Sequence, residues 1–379
     1  MARELKGDRT SHRFRAIDWL RGLSVLFMVE CHSLYFLRPD LERTPFWYKL
    51  QGINGLVSVA FLFAAGFSIA LVVARAAGDA HARQRRSKRS LIRIGEVALL
   101  ALYIGQVSHD YFSNPIWLLR PDILTCIVAG LVLIWAVVTA CRGRNALAAG
   151  LLAGLWVCVL GGTLFTTTYR GDHLWIGLVN NSTGAMFPLM PWTGYMLLGG
   201  ILGVFSSHPT RARLALVFGV GIMTALGAML ALTPVGDALW RSLDGRGLST
   251  YMVSNAFERI WKLGVICLVL MAIERLTTAV GAVPWTRVFR LLGSPLEYFS
   301  KMSLSAYFVH LTLLYGFWGI QFTQVWHRKS SWQQYFWRMP VLIGMTALVC
   351  YGLHLVRRRI EAVIRAKATP VAVVGARSV

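Results

Sequence analysis

Asp18-Trp19-Leu20-Arg21-Gly22-Leu23-Ser24-Val25-Leu26-Phe27-Met28-Val29-Glu30-Cys31-His32 opens the apolar part of the chain and decides its fold. The stretch is long and greasy enough to cross a bilayer, yet it carries an acid, a fixed cation and an imidazole. Ionisable groups inside a span are costly. They persist where they face a bundle interior or a water-filled cavity and act there. Eleven helical steps of 100° bring His32 back to within roughly 20° of Arg21, roughly 16 Å further along the axis. Asp18 lies on nearly the same stripe, so one helix face lines up all three groups.

Working outward, apolar runs of spanning length recur about ten times. They cover residues 16–37, 52–74, 91–109, 121–140, 146–166, 187–205, 212–232, 259–277, 303–322 and 339–357. Composition agrees: 56% of residues are hydrophobic, 15% are charged and the mean hydropathy is +0.55. The fold class expected is all-α, a polytopic bundle with about ten transmembrane helices. The divisions are a basic tail over 1–15, an integral membrane domain over 16–360 and a tail over 361–379. The basic N-terminus followed by an apolar run has the outline of a signal peptide. However, the run is long, contains Asp18 and Arg21, and lacks a small-residue cleavage site, so it reads as a retained first span.

Loop charge sets the orientation. Arg3, Lys6, Arg9, Arg13 and Arg15 precede the first span, and Arg83, Arg85, Arg86, Lys88, Arg89 and Arg93 join the second to the third. Arg357, Arg358 and Arg359 follow the last one. Positive charge gathers on the cytoplasmic side, so both termini are expected there. The net charge of +22 follows from the same rule, and no nucleic-acid partner is called for. The six cysteines are scattered through apolar stretches without a CxxC spacing, which indicates neither a metal site nor a disulfide framework.

A neutral imidazole held in a bundle is suited to act as general base toward a hydroxyl or amine. Arg21 keeps its charge at any working pH and suits a phosphate at the inner face, with Asp18 at i−3 orienting it. The plainer reading is an Asp–Arg pair closing the helix entrance and a histidine hydrogen-bonded across the bundle. The alignment of all three favours function. His310 stands three residues after Tyr307 on one helical face, either orienting His32 and lining a cofactor path or bonding within the core. On the outward side, the connections over 167–186 and 233–258 mix polar and aromatic residues, which suits a sugar-like acceptor. Acceptor contacts are expected from His109, Asp110, Asp122, His173 and Asn181; for His109-Asp110 and for Arg120 with Asp122, a helix-end ion pair is the simpler alternative.

These residues resemble a known superfamily. Arg15-Ala-Ile-Asp18-Trp-Leu-Arg21-Gly22 followed by His32 resembles the opening of transmembrane acyltransferases, where the acyltransferase 3 family has the same arginine–histidine separation. Phe61-Leu-Phe-Ala-Ala-Gly66-Phe67-Ser68 is similar to a second-span motif of that superfamily. Phe187-Pro-Leu-Met-Pro-Trp192-Thr-Gly194-Tyr-Met-Leu-Leu-Gly199 resembles the heparan-alpha-glucosaminide N-acetyltransferase-like branch, and Ser303-Leu-Ser-Ala-Tyr307-Phe-Val-His310 a late stretch of both. The chain departs from each. Residues 33–51 hold no histidine where the glucosaminide branch has one, and Ala65 stands where the acyltransferase 3 pattern has serine.

The resemblance implies a multi-pass acyltransferase that takes acyl-CoA, usually acetyl-CoA, from the cytoplasm. It implies delivery of the acyl group to a glycan hydroxyl or amine outside, and in this setting a bacterial inner membrane. Carried over residue by residue, His32 would be the catalytic base, pulling a proton in a direct transfer or briefly carrying the acyl group itself, and Arg21 a cofactor contact. Arg89 and Arg93 would help hold the nucleotide end, and Tyr307 and His310 would line the cofactor path. Expected partners are the lipid bilayer, acyl-CoA and a polar acceptor, with self-association into a homo-oligomer left open. The alternative from another class is an exporter of such a glycan, with Arg21 and His32 lining its path.

Overall fold

The computed structural model describes residues 14–76, 79–109, 112–115, 118, 121–158, 176–179, 186–208, 210–234, 250–279, 284–316 and 325–368. Helices dominate them: α1 (Arg15–Ser33), α2 (Pro45–Asn54), α3 (Val57–Ala74), α4 (Ala80–His109), α5 (Ile123–Ala140), α6 (Arg144–Trp156), α7 (Leu189–Phe205), α8 (Ala212–Leu232), α9 (Thr250–Ala279), α10 (Pro284–Lys301), α11 (Ser303–Tyr315) and α12 (Trp332–Ala368). A further single turn covers Ile176–Val179, and two 3-10 turns follow α1 at Leu34–Phe36 and Pro39–Leu41. Local chemistry sets several starts. Thr44 caps α2 by accepting from the Trp47 N–H, with Pro45 in the first helical turn. Asp79 accepts from the Ala82 N–H at 2.9 Å at the start of α4, and that bond holds its carboxyl below the usual carboxylate range.

Five of the described helical stretches are long and apolar enough to cross a bilayer: Pro45–Ala74, Gln84–Val107, Ile123–Ala140, Ala212–Leu232 and Trp332–Val363. Against the expected count of about ten, the others differ for separate reasons. Helices α1 and α9 are long enough but carry charge, Arg15, Asp18, Arg21 and Glu30 on the first and Glu258, Arg259, Lys262, Glu274 and Arg275 on the second. Helices α7 and α11 are apolar but have 17 and 13 residues. The expected fifth span lies partly beyond residue 158, outside the described residues.

One helix was not expected. Residues 284–301 contain no unbroken apolar run, so a search by span length passes over them. Their apolar residues recur at helical spacing instead (Val288, Leu291, Leu292, Leu296, Phe299), alternating with Arg287, Arg290, Glu297 and Lys301, and they fold as α10. Helix α12 is also longer than the expected span over 339–357. It runs about 55 Å and crosses residue 360 without a break.

The chain divides into two compact units, residues 1–31 with 43–303 and residues 32–42 with 304–379. In the first unit, α3 lies along α7, while α6 and α5 also pack on α7, and α8 pairs with α9. The α3–α7 contact is as close as two helices allow. A Cβ placed on Gly66 would run into the Met196 carbonyl, and one on Gly199 into the Phe63 carbonyl. Small residues let backbones approach this way in apolar surroundings, where water gives helices no reason to associate. The two stretches quoted for their family resemblance, 61–68 and 187–199, therefore meet each other.

In the second unit, α11 buries Ala306, Tyr307, Val309, His310 and Leu313. The segment after α1 is pinned beside the segment before α12. The Arg328 N–H donates to the Tyr35 carbonyl at 3.0 Å, Ser330 to Phe36 at 2.8 Å and Arg38 to Ser330 at 3.0 Å, forming a parallel bridge at Leu37 and Ser330.

Candidate active site

Helix α1 runs unbroken from Arg15 to Ser33, so the expected helical spacing of Asp18, Arg21 and His32 is realised. Its first turn is anchored by an acid from α9. Glu274, 7% exposed, accepts from the Ala16 N–H at 3.0 Å, and its other oxygen lies 3.8 Å from the Arg213 guanidinium on α8. A carboxylate there satisfies one of the orphan donors at a helix start and meets the positive end of the helix dipole. Gly22 lets α1 approach α10, since a Cβ on it would strike the Leu296 carbonyl.

Arg21 reaches α3. Its Nη2 donates to the Ala64 carbonyl at 2.9 Å and also to the Ser68 hydroxyl, which itself donates to Ala64 at 2.8 Å. Asp18 accepts from the Ser300 hydroxyl of α10 at 3.5 Å. Arg93 of α4 is close enough for its charge to act on Arg21, so two of the expected cofactor cations share a neighbourhood. Arg93 also pairs with Glu96 at 3.7 Å, and Arg89 stands one turn earlier on α4, exposed. A cleft of about 410 Å³ opens near the start of α1, walled by Arg15, Trp19, Thr277, Glu297, Tyr298 and Lys301; Arg21 does not line it.

In the second unit, His32 stands beside His310 of α11. The ring centroids of His32 and His310 are 5.2 Å apart, and Tyr307 meets His310 edge-to-face at 5.6 Å. The Nδ1 of His32 is 3.3 Å from the Tyr315 hydroxyl. The Nδ1 of His310 is 2.8 Å from the Ala306 carbonyl. A carbonyl has no proton to give, so that contact puts the His310 proton on Nδ1 and leaves Nε2 as an acceptor. Among the described residues this Nε2 is buried without a hydrogen-bond partner. His32 thus has a hydroxyl on one side and a second imidazole on another, which is the equipment for moving a proton.

The expected acceptor residues are described less fully. Asp122 caps α5, accepting from the Thr125 N–H at 2.8 Å. His109 is the last residue of α4. Asp110, Arg120, His173 and Asn181 lie outside the described residues. Sequence reasoning gave no role to Tyr315 or Glu274. Tyr315 is 283 positions from its partner and no local spacing announces it. Glu274 did leave a signal: it is an acid within the apolar run 259–277, the kind of residue the cost of burying charge singles out.

A family model described as "Heparan-alpha-glucosaminide N-acetyltransferase, catalytic" matches residues 13–230, more than half of the chain. The chain belongs to this family. Comparison with curated proteins found no match. Family membership supports a membrane N-acetyltransferase-like function, and the match bears out the resemblance to the heparan-alpha-glucosaminide N-acetyltransferase-like branch read from the stretch 187–199. It spans α1 to α8 and ends before α11, so the family likeness takes in His32 but not His310 or Tyr315.

Proposed function

We propose that the protein is an acyl-CoA-dependent transferase of the membrane, moving an acetyl group from cytoplasmic acetyl-CoA to a hydroxyl or amine of a glycan on the other side. In this reading about ten helices cross a bacterial inner membrane and both termini face the cytoplasm. The observation that carries it is the setting of His32, with the Tyr315 hydroxyl at Nδ1 and the His310 ring alongside. Arg21, Arg89 and Arg93 take the phosphates of the donor, with Arg93 near enough to act on Arg21, as a shared anion would need. Tyr307 and His310 border the path of the acyl arm. His109, Asp110, Asp122, His173 and Asn181 belong to the acceptor side.

As base, His32 works in the tautomer whose Nδ1–H donates to the Tyr315 oxygen. Its Nε2 lone pair then takes the proton from the acceptor hydroxyl or amine as that atom attacks the thioester carbonyl. The carbon–sulfur bond breaks, the new ester or amide forms, and the imidazolium returns its proton to the departing thiolate. Acetyl transfer from labelled acetyl-CoA to glycosides, measured on purified protein in nanodiscs, tests this. His32→Ala is expected to lower kcat by roughly 10²–10⁴-fold while the melting temperature stays in place. Full activity in that variant would remove His32 from the chemistry.

A further inference from the structure

Among Leu34, Tyr35, Phe36 and Leu37, three side chains are buried and one is not: Tyr35 is 51% exposed. Its backbone is nevertheless held in place. Its carbonyl accepts from Arg328, and the next residue's carbonyl accepts from both Lys329 and Ser330. Arg328 adopts a positive φ of 53°, which turns the chain back so that the His327 ring stacks parallel to Tyr35, at 5.6 Å and 16°. Behind this turn, Arg338 donates to the Ser330 hydroxyl at 2.6 Å and lies over the rings of Trp326 and Trp337. Two aromatic rings are thus held outward by a braced backbone.

The rings lead to the imidazole already described. Tyr315 meets Tyr35 edge-to-face at 5.7 Å and meets His32 edge-to-face at 6.3 Å. The flanks of this shelf are ionic, with Arg38 pairing with Asp40 at 3.0 Å and Arg328 with Glu42 at 3.7 Å. An aromatic that anchors a protein in the lipid interface needs neither a fixed backbone nor ion pairs beside it. A flat ring among charges, one ring removed from a base, suits a ligand with an apolar face and a polar rim. A pyranose is such a ligand: the C–H bonds of one face carry slight positive charge and rest on the negative face of an aromatic ring, while its hydroxyls point to the edges.

We infer that Tyr35, with His327 and Tyr315 beside it, is the subsite on which the sugar ring of the acceptor lies, its reacting hydroxyl or amine turned toward His32. This rests on the acyltransfer reading above. The braced loop fixes the ring before the sugar arrives, which reduces the ordering cost of binding.

The test uses methyl glucosaminide with full-length protein in nanodiscs, by saturation-transfer NMR without donor and by acetyl-transfer kinetics with it. Tyr35→Ala is expected to raise the KM for the glucosaminide on the order of tenfold and abolish saturation of its ring protons, with the KM for acetyl-CoA in place. Tyr35→Phe keeps the ring and is expected to restore most of the affinity. Transfer by the wild type with unchanged sugar KM in Tyr35→Ala overturns the subsite and leaves the acyltransferase reading standing. Saturation that depends on Tyr35 without any transfer sinks the acyltransferase reading and upholds the subsite. No saturation in the wild type overturns the subsite outright.

Discussion

Where α3 lies along α7, glycines bring backbone against backbone and nothing is left to adjust; around His32, rings stand 5–6 Å apart and one buried nitrogen has no hydrogen-bond partner among the described residues. Both regions are built from residues that stand out in the sequence, but they stand out for opposite reasons. Glycines at a helix crossing are there for what they lack. A histidine pair beside a phenol is there for what it can still bond. Close backbone contact marks the scaffold; rings set apart, with titratable groups facing one another, mark the histidine pair.

Substitutions at three positions test that contrast. Gly199→Val puts a branched side chain against the Phe63 carbonyl, which cannot swing aside as a side chain would. A loss of roughly 3–5 kcal/mol is expected, seen as a collapse of the monodisperse peak and of the melting temperature in fluorescence-detected chromatography. Were the melting temperature to hold, the helices would be less tightly apposed than described. Tyr315→Phe removes the hydroxyl at His32 Nδ1 and keeps the ring. Its expected effect is a fall in kcat of about tenfold with an unchanged KM for acetyl-CoA and an unaltered fold, the signature of an orienting bond lost. An unchanged kcat would make the contact incidental. The smallest effect is expected from Asp122→Ala, about 1 kcal/mol from loss of the α5 cap. Asp122→Asn, which still caps, is expected to restore it. A raised acceptor KM in both would assign Asp122 to binding as well.

Much of this was legible in the chain. The Arg21–His32 spacing and the apolar runs follow from period, length and composition; the stretches around Gly66 and Gly199 stood out by family resemblance, and only the fold shows that they meet. Helix α10 was missed because it is amphipathic, so its period carries the signal and its mean hydropathy hides it. Glu274 was readable as a charge in an apolar run but was passed over beside the richer pattern on α1. Tyr35, Tyr315 and His327 were not readable, because their meaning comes from contacts nearly 300 positions apart, set by a backbone bridge between two connecting segments.

That bridge also has a consequence for how the protein is made. His32 is made 283 residues before Tyr315, and earlier still relative to His327 and Ser330. A nascent protein released before residue 304 would hold the glycine-packed scaffold but would lack every neighbour that gives the imidazole its setting. Translation thus imposes a delay: the surroundings of His32 are complete only once residue 330 has been made.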